Sequence, residues 1–283
     1  MTARPPQPST IGVGDNVGPY RLEAMLGHGA MGIVFRAVRE DDGDTVALKV
    51  LREELAADDV YRRRFVREGA IARALDHPHL VEVVDAGEAD GRYYLASRYI
   101  RGRSLAERLT AEGPAPVSDV VRLAAELGAA LDELHARQLV HRDVKPANIL
   151  ASDEGVWLLT DFGVARGPAH TALTKAGKVV GTLDYLAPEM IAANQAGPAS
   201  DLYSLACVVY ECLTGAAPFA GRGIAETCIA HLNEMPRSPG DVRADLPDEL
   251  SWAAMQGLAK DPARRPRTGK AFARLLKVSA ASA

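Results

Sequence analysis

The sequence predicts an α+β protein in two unequal parts, the first rich in strands and the second helical. Two observations carry that prediction. Short apolar or alternating runs recur up to residue 97, interrupted by one helix-length segment. From residue 103 onward apolar residues fall instead at helical spacing, as at Val120, Leu123, Leu127, Leu131 and Leu134. A third observation gives the second part a chemical purpose. It contains His141-Arg142-Asp143-Val144-Lys145-Pro146-Ala147-Asn148, and eighteen residues after Asp143 comes Asp161-Phe162-Gly163.

The bulk composition suits a soluble globular enzyme. Of 283 residues, 47% are hydrophobic and 25% charged, enough for one large domain or two joined ones. Lys and Arg number 33 against 37 Asp and Glu, a net charge of −4, so neither a nucleic-acid partner nor attraction to a membrane surface is expected. Cys207, Cys212 and Cys228 lack the spacing of a zinc site or a disulfide framework and read as buried, reduced thiols. No run approaches the ~20 apolar residues of a membrane span. The expected location is cytoplasmic, either as a free protein or as the cytoplasmic portion of a longer membrane receptor.

In chain order, residues 1–17 are rich in Pro, Ser, Thr and Gly and read as a disordered leader. Leu26-Gly27-His28-Gly29-Ala30-Met31-Gly32 then forms a complete G-x-G-x-x-G. Alone it fits an ordinary hairpin as well as a nucleotide site. A dinucleotide fold would open a helix here, whereas Ile33 to Val38 alternates as a strand. Strand, glycines, strand makes a flap whose bare backbone amides can approach phosphates.

Val46 to Leu51 is a second strand with Lys49 inside it, and a lysine in an apolar strand needs a partner, because an unpaired buried ammonium is costly. Asp58 to Leu75 reads as a helix with Phe65, Glu68, Ala72 and Leu75 on one face, so Glu68 points inward. Strands over 81–88 and 92–96 follow. The later part carries helices over 104–109, 117–136 and 202–213.

The octapeptide and the Asp-Phe-Gly supply what phosphoryl transfer needs. That set is a carboxylate to orient or deprotonate a hydroxyl, a cation for the moving phosphate, and oxygen ligands for magnesium. The two motifs resemble the catalytic and metal-binding loops of protein kinases, specifically the bacterial eukaryotic-like serine/threonine kinases. The resemblance spans about residues 19 to 275 with every motif in order. It implies a bilobal protein kinase fold, with a small, mainly antiparallel β N-lobe (18–97) bearing one key helix. A hinge (98–102), a larger, mainly helical C-lobe (103–276) and a tail (277–283) complete it, with nucleotide between the lobes.

The resemblance also implies roles. Asp143 is the base or hydroxyl-orienting group, Lys145 sits on the γ-phosphate, and Asn148 and Asp161 hold magnesium, or manganese in its place. Lys49 binds the α- and β-phosphates and pairs with Glu68. Leu26, Gly27, His28, Gly29, Gly32, Val34, Ala47 and Leu150 surround the nucleotide, and the backbones of Arg98 and Ile100 bond adenine. Many relatives carry an acidic residue where Arg98 stands, which puts side-chain contacts there in doubt. Lys145 marks serine/threonine rather than tyrosine specificity. Thr182, in Gly181-Thr182-Leu183-Asp184-Tyr185-Leu186-Ala187-Pro188-Glu189, would link to Asp143 and Lys145.

Arg142 marks the subclass in which a phosphorylated activation loop pairs with that arginine; Thr174, or else Thr171, is the expected phosphosite. His141 and Phe162 are expected as packing residues, Asp201 as a brace of the catalytic-loop backbone, and Glu189 with Arg265 as a structural ion pair. The expected partners are ATP, protein substrates and a second copy through the N-lobe. A kinase-like binding protein without activity should have lost Lys49, Asp143 or Asp161, and all three are present. A small-molecule phosphotransferase should lack the 161–189 segment.

Overall fold

The alternating runs pair into one antiparallel sheet. Strands β1 (Asn16–Val17), β2 (Tyr20–His28), β3 (Gly32–Arg39), β4 (Thr45–Leu51), β5 (Val83–Ala89) and β6 (Arg92–Arg98) lie in the order β1-β2-β3-β4-β6-β5. The computed structural model describes residues 11–29, 31–161, 183–193 and 195–281, and the chain divides into two compact units. Unit 1 is Met1–Leu75 with Glu82–Tyr99; unit 2 is Asp76–Val81 with Ile100–Ala283.

Period-two alternation sorts unit 1 into two faces. Val46, Leu48 and Val50 of β4 join Tyr20, Leu22, Phe35, Ala37, Tyr94 and Ala96 in a buried cluster. Ala47 and Lys49 point the other way and are only half-buried. Short helix α1 (Glu53–Ala56) leads into α2 (Asp59–Arg73), whose N-terminus is capped by Asp58 accepting from the Val60 and Tyr61 amides. On α2, Phe65 is 2% exposed and Ala72 fully buried, the face that its apolar spacing predicts.

Two boundaries in unit 1 differ from expectation. The leader was expected to run to residue 17, yet Val17 is 1% exposed and β1 pairs with β2. The Gly12 amide donates to Asp15 Oδ2 at 2.9 Å, closing a turn that a Pro/Ser/Thr/Gly count does not reveal. Strand β6 likewise runs on through Ser97 and Arg98, because β4 and β5 both offer it partners: Ala47 and Val83 stand opposite Ser97, and Val46 opposite Arg98.

Unit 2 is mainly helical. Its small sheet, in the order β7-β8-β9, consists of β7 (Gly102–Ser104), β8 (Ile149–Ser152) and β9 (Trp157–Leu159). Among its described residues the α-helices are α3 (Leu105–Glu112), α4 (Val117–Ala136), α5 (Pro188–Ala193), α6 (Pro198–Thr214), α7 (Ile224–Asn233), α8 (Pro239–Val242), α9 (Asp248–Gly257) and α10 (Gly269–Ala281). Helix α6 is buried nearly all round, as an apolar run too short to span a membrane should be. Among the described residues, no helix is long and apolar enough to cross a membrane.

Helix α10 crosses α4 so closely that a Cβ on Gly269 would lie 2.2 Å from Gly128 O. Asp132 of α4 accepts from the Gly269 and Lys270 amides at the start of α10. That anchoring carries the helix through Ala281, into the expected tail. Residues 76–81 belong to unit 2 because the Val81 amide donates to Leu159 O (3.0 Å) and His79 Nδ1 lies 3.1 Å from Trp157 O.

Candidate active site

The catalytic octapeptide is held from below by one buried carboxylate. Asp201, in the first turn of α6, is 1% exposed. Its Oδ2 accepts from the His141 amide and its Oδ1 from the Arg142 amide, both at 2.8 Å. His135, in the last turn of α4, brings Nε2 to 2.8 Å from the same Oδ2. These bonds hold Arg142 at φ 64°, a left-handed conformation that a non-glycine residue adopts at a cost of ~1–3 kcal/mol. Asp143 then projects from a fixed backbone.

His141 does more than pack. It is fully buried, and burial holds its pKa below the ordinary imidazole value, with Asp201 and Asp143 opposing that shift. Nδ1 accepts the Asp143 amide at 3.2 Å, so in the neutral ring the proton belongs on Nε2, which lies 3.0 Å from Thr160 O. One imidazole thus spans from the backbone of Asp143 to the residue preceding Asp161.

The Asp143, Lys145 and Asn148 side chains of the loop converge. Lys145 Nζ is 3.0 Å from Asp143 Oδ2, and both side chains are largely buried. Asn148 Nδ2 donates to Asp143 O at 2.8 Å and to Asp143 Oδ2 at 2.9 Å. With both amide hydrogens engaged, Asn148 Oδ1 receives no hydrogen bond from the described residues. The Thr160 amide donates to Asn148 O (3.0 Å), setting Asp161 beside the start of β8, with φ 60° and an exposed side chain. An amide oxygen and a carboxylate are the oxygen donors a hard divalent cation takes.

Unit 1 carries the elements expected to meet nucleotide. Gly32 is required by the sheet itself, since a Cβ there would lie 2.1 Å from Val50 O. Gly27 has nothing within 4 Å and Gly29 only Gly32 O at 3.7 Å. The fold therefore explains one of the three glycines and leaves room at the other two. Met25 and Leu26, on the strand leading into the flap, are exposed apolar residues.

Lys49 stands opposite Val34 and Leu95 in the sheet, and cross-strand partners share a face. The Leu95 side chain lies 3.5 Å from where a Gly69 Cβ would be, so α2 covers the face that carries Lys49. Glu68 precedes Gly69 and is half-buried. The C-terminal end of α2 is held by Arg73, 3.6 Å from Asp85, which also accepts from the Tyr20 and Tyr94 hydroxyls. The Arg98 amide donates to Glu82 O at 2.9 Å, which narrows what its backbone can offer adenine to the carbonyl. In unit 2, Leu150 lies on β8 opposite Ser104 and Leu158. Phe162, Gly163, Thr171, Thr174 and Thr182 lie outside the described residues.

The structural ion pair joins Glu189 to Arg265 through two 2.8 Å contacts, with the guanidinium also donating to Ala199 O, Ala259 O and Lys260 O. Burial pushes the Glu189 pKa up, but the bonds from Arg265 and Ser200 outweigh it and hold the carboxyl below its ordinary value. Sequence reasoning missed His135 and treated His141 as packing alone. The available signal was a second histidine in the helix turn leading into the loop.

An antiparallel sheet unit with a glycine flap and a half-buried lysine, and a helical unit with a braced Asp-Lys-Asn loop, are the two parts of a kinase-type phosphotransferase domain. Residues 20–274 match the protein kinase domain family, and the chain belongs to it. It is 40% identical over 252 residues to the serine/threonine-protein kinase PknE of Mycobacterium tuberculosis, covering 89% of this chain and 44% of that protein. It is 38% identical to PknD of the same organism, covering 89% and 38% respectively. The chain thus spans less than half the length of these relatives. The crystal structure of the Mycobacterium tuberculosis PknI kinase domain matches with a TM-score of 0.76 at 33% identity, covering 96% of this chain and all of that one. The chain is a bacterial eukaryotic-like serine/threonine protein kinase domain, of a family that uses ATP and a divalent metal ion.

Proposed function

We propose that this domain transfers the γ-phosphate of Mg-ATP to serine and threonine hydroxyls of proteins, and that its own activation loop is one acceptor. The observation that carries this reading is the convergence of Asp143, Lys145 and Asn148 within hydrogen-bonding distance on a backbone fixed by Asp201. Asp143 orients the acceptor hydroxyl and takes its proton as the oxygen attacks the γ-phosphorus and the bond to the β–γ bridging oxygen breaks, releasing ADP. Lys145 moves from its ion pair onto the γ-phosphate oxygens, and Lys49, oriented by Glu68, holds the α- and β-phosphates. Asn148 Oδ1 and Asp161 would hold magnesium, which neutralises charge on the phosphates when bound.

The space at Gly27 and Gly29 supports backbone approach to phosphate. Leu26, Val34, Ala47 and Leu150, with the Arg98 carbonyl and Ile100 backbone, are assigned to adenine. Thr174, or else Thr171, is the proposed phosphosite, and Thr182 the link between acceptor peptide and catalytic loop. A cytoplasmic location, as a free protein or as the cytoplasmic portion of a longer membrane receptor, extends the reading of the sequence, and pairing of two copies through the N-lobe is carried over from the family resemblance.

The test is incubation with Mg-ATP followed by intact-mass analysis, with Lys49→Met in parallel. Mass increments of one phosphate on the wild type, absent from the variant and mapping to Thr174 or Thr171, are expected. Wild-type protein that phosphorylates neither itself nor a generic basic protein would overturn the reading.

A further inference from the structure

One arginine outside the assigned residues is wired into the flap. Arg52 follows the end of β4, three residues beyond Lys49. Its amide donates to Met31 O at 2.9 Å, and its Nε donates to Gly29 O at 3.2 Å. One terminal guanidinium nitrogen lies 3.0 Å from His28 Nε2 and 3.3 Å from His28 Nδ1. A neutral imidazole has one acceptor nitrogen, and either tautomer places it within reach. The flap closes on itself through the Gly29 amide and Gly32 O at 2.8 Å. Gly27 has open space around it, so the Arg52 contacts are the side-chain ties of the described flap residues to the end of β4.

We propose that Arg52 is a positioning residue for the phosphate flap, holding His28 and Gly29 in the nucleotide-accepting arrangement. This rests on the flap being the nucleotide site. Ordering a glycine-rich loop on binding costs free energy, and a flap already fixed binds ATP more tightly. The guanidinium fork can serve a carbonyl and a ring nitrogen together in fixed geometry, which the point charge of lysine does not reproduce.

The experiment measures the affinity of a fluorescent ATP analogue, and the KM for Mg-ATP, in the wild type, R52A, R52K, H28Q and the R52A/H28Q double variant. At about pH 8, R52A is expected to weaken nucleotide binding roughly three- to tenfold, the size of one or two net hydrogen bonds, with a smaller change in kcat and an unchanged melting temperature. R52K is expected to fall near R52A, and it keeps the test available should R52A be unstable.

The R52A effect is expected to persist in the H28Q background, where the glutamine amide oxygen still accepts. Equal affinity of wild type and R52A, or no R52A effect in the H28Q background, would overturn the proposal. Failure of the wild type to bind the analogue would overturn the nucleotide reading itself.

Discussion

The catalytic loop of unit 2 and the glycine flap of unit 1 serve the same proposed reaction by opposite physical means. Around Asp143 the polar groups are buried and tied down: Asp201 fixes two amides, His141 spans to Thr160, and Asn148 donates to the Asp143 carboxylate. The flap is exposed, has room at two of its three glycines, and is tied to one arginine. The difference teaches where preorganisation is needed. A group that acts in the transition state must already be in place, because reorganising it during reaction adds to the barrier. A group that admits and releases nucleotide needs freedom.

The comparison can be broken most directly at its rigid end. Asp143→Asn should retain ATP binding and lower turnover by ~10²–10⁴, the usual cost of losing a general base. Turnover equal to the wild type in a phosphate-transfer assay would remove Asp143 from its role. Glu189→Ala should leave the Arg265 charge buried and lower stability by ~3–5 kcal/mol in urea unfolding. A loss below about 1 kcal/mol, the scale of an exposed pair, would mean the pair is not buried in solution.

The rigid unit should also respond to acid. Burial, with Lys260 adding to it, pushes His231 down to about 4, and burial lowers His141 as well. The unfolded chain therefore takes up these protons first. Their contribution is complete above the ordinary imidazole value of about 6.5 and is lost as pH falls below it, at up to ~1.4 kcal/mol per pH unit for each histidine. Urea midpoints measured from neutral pH down to about pH 5 should show this slope, and His231→Gln should reduce it. An identical slope in the variant would place the acid sensitivity elsewhere.

The smallest effects separate the glycines. Gly32→Ala should cost ~1–3 kcal/mol of stability through its clash with Val50 O, while Gly27→Ala should change stability by less than about 0.5 kcal/mol and raise the KM for ATP. A stability loss at Gly27 as large as at Gly32 would mean the flap is packed rather than open.

Much of this was legible beforehand. Apolar spacing located α4 at Val117–Ala136 and turned Phe65 and Ala72 of α2 inward, because burial of one face repeats with the local geometry of the chain. The reactive set Asp143, Lys145 and Asn148 was legible because six residues of one loop cannot separate far. Sequence could not reveal that His135 shares Asp201 with the loop, nor that His141 bonds both Asp143 and Thr160, since those contacts join segments up to sixty-six residues apart. It gave no hint that Gly32 is packed against the Val50 carbonyl.

By itself, then, the sequence determined the local elements and the inventory of reactive groups, which depend on neighbours along the chain. Only the tertiary structure decided which buried donors meet which acceptors. A hydrogen bond between distant segments depends on backbone paths to within a few tenths of an ångström, and no periodicity encodes that.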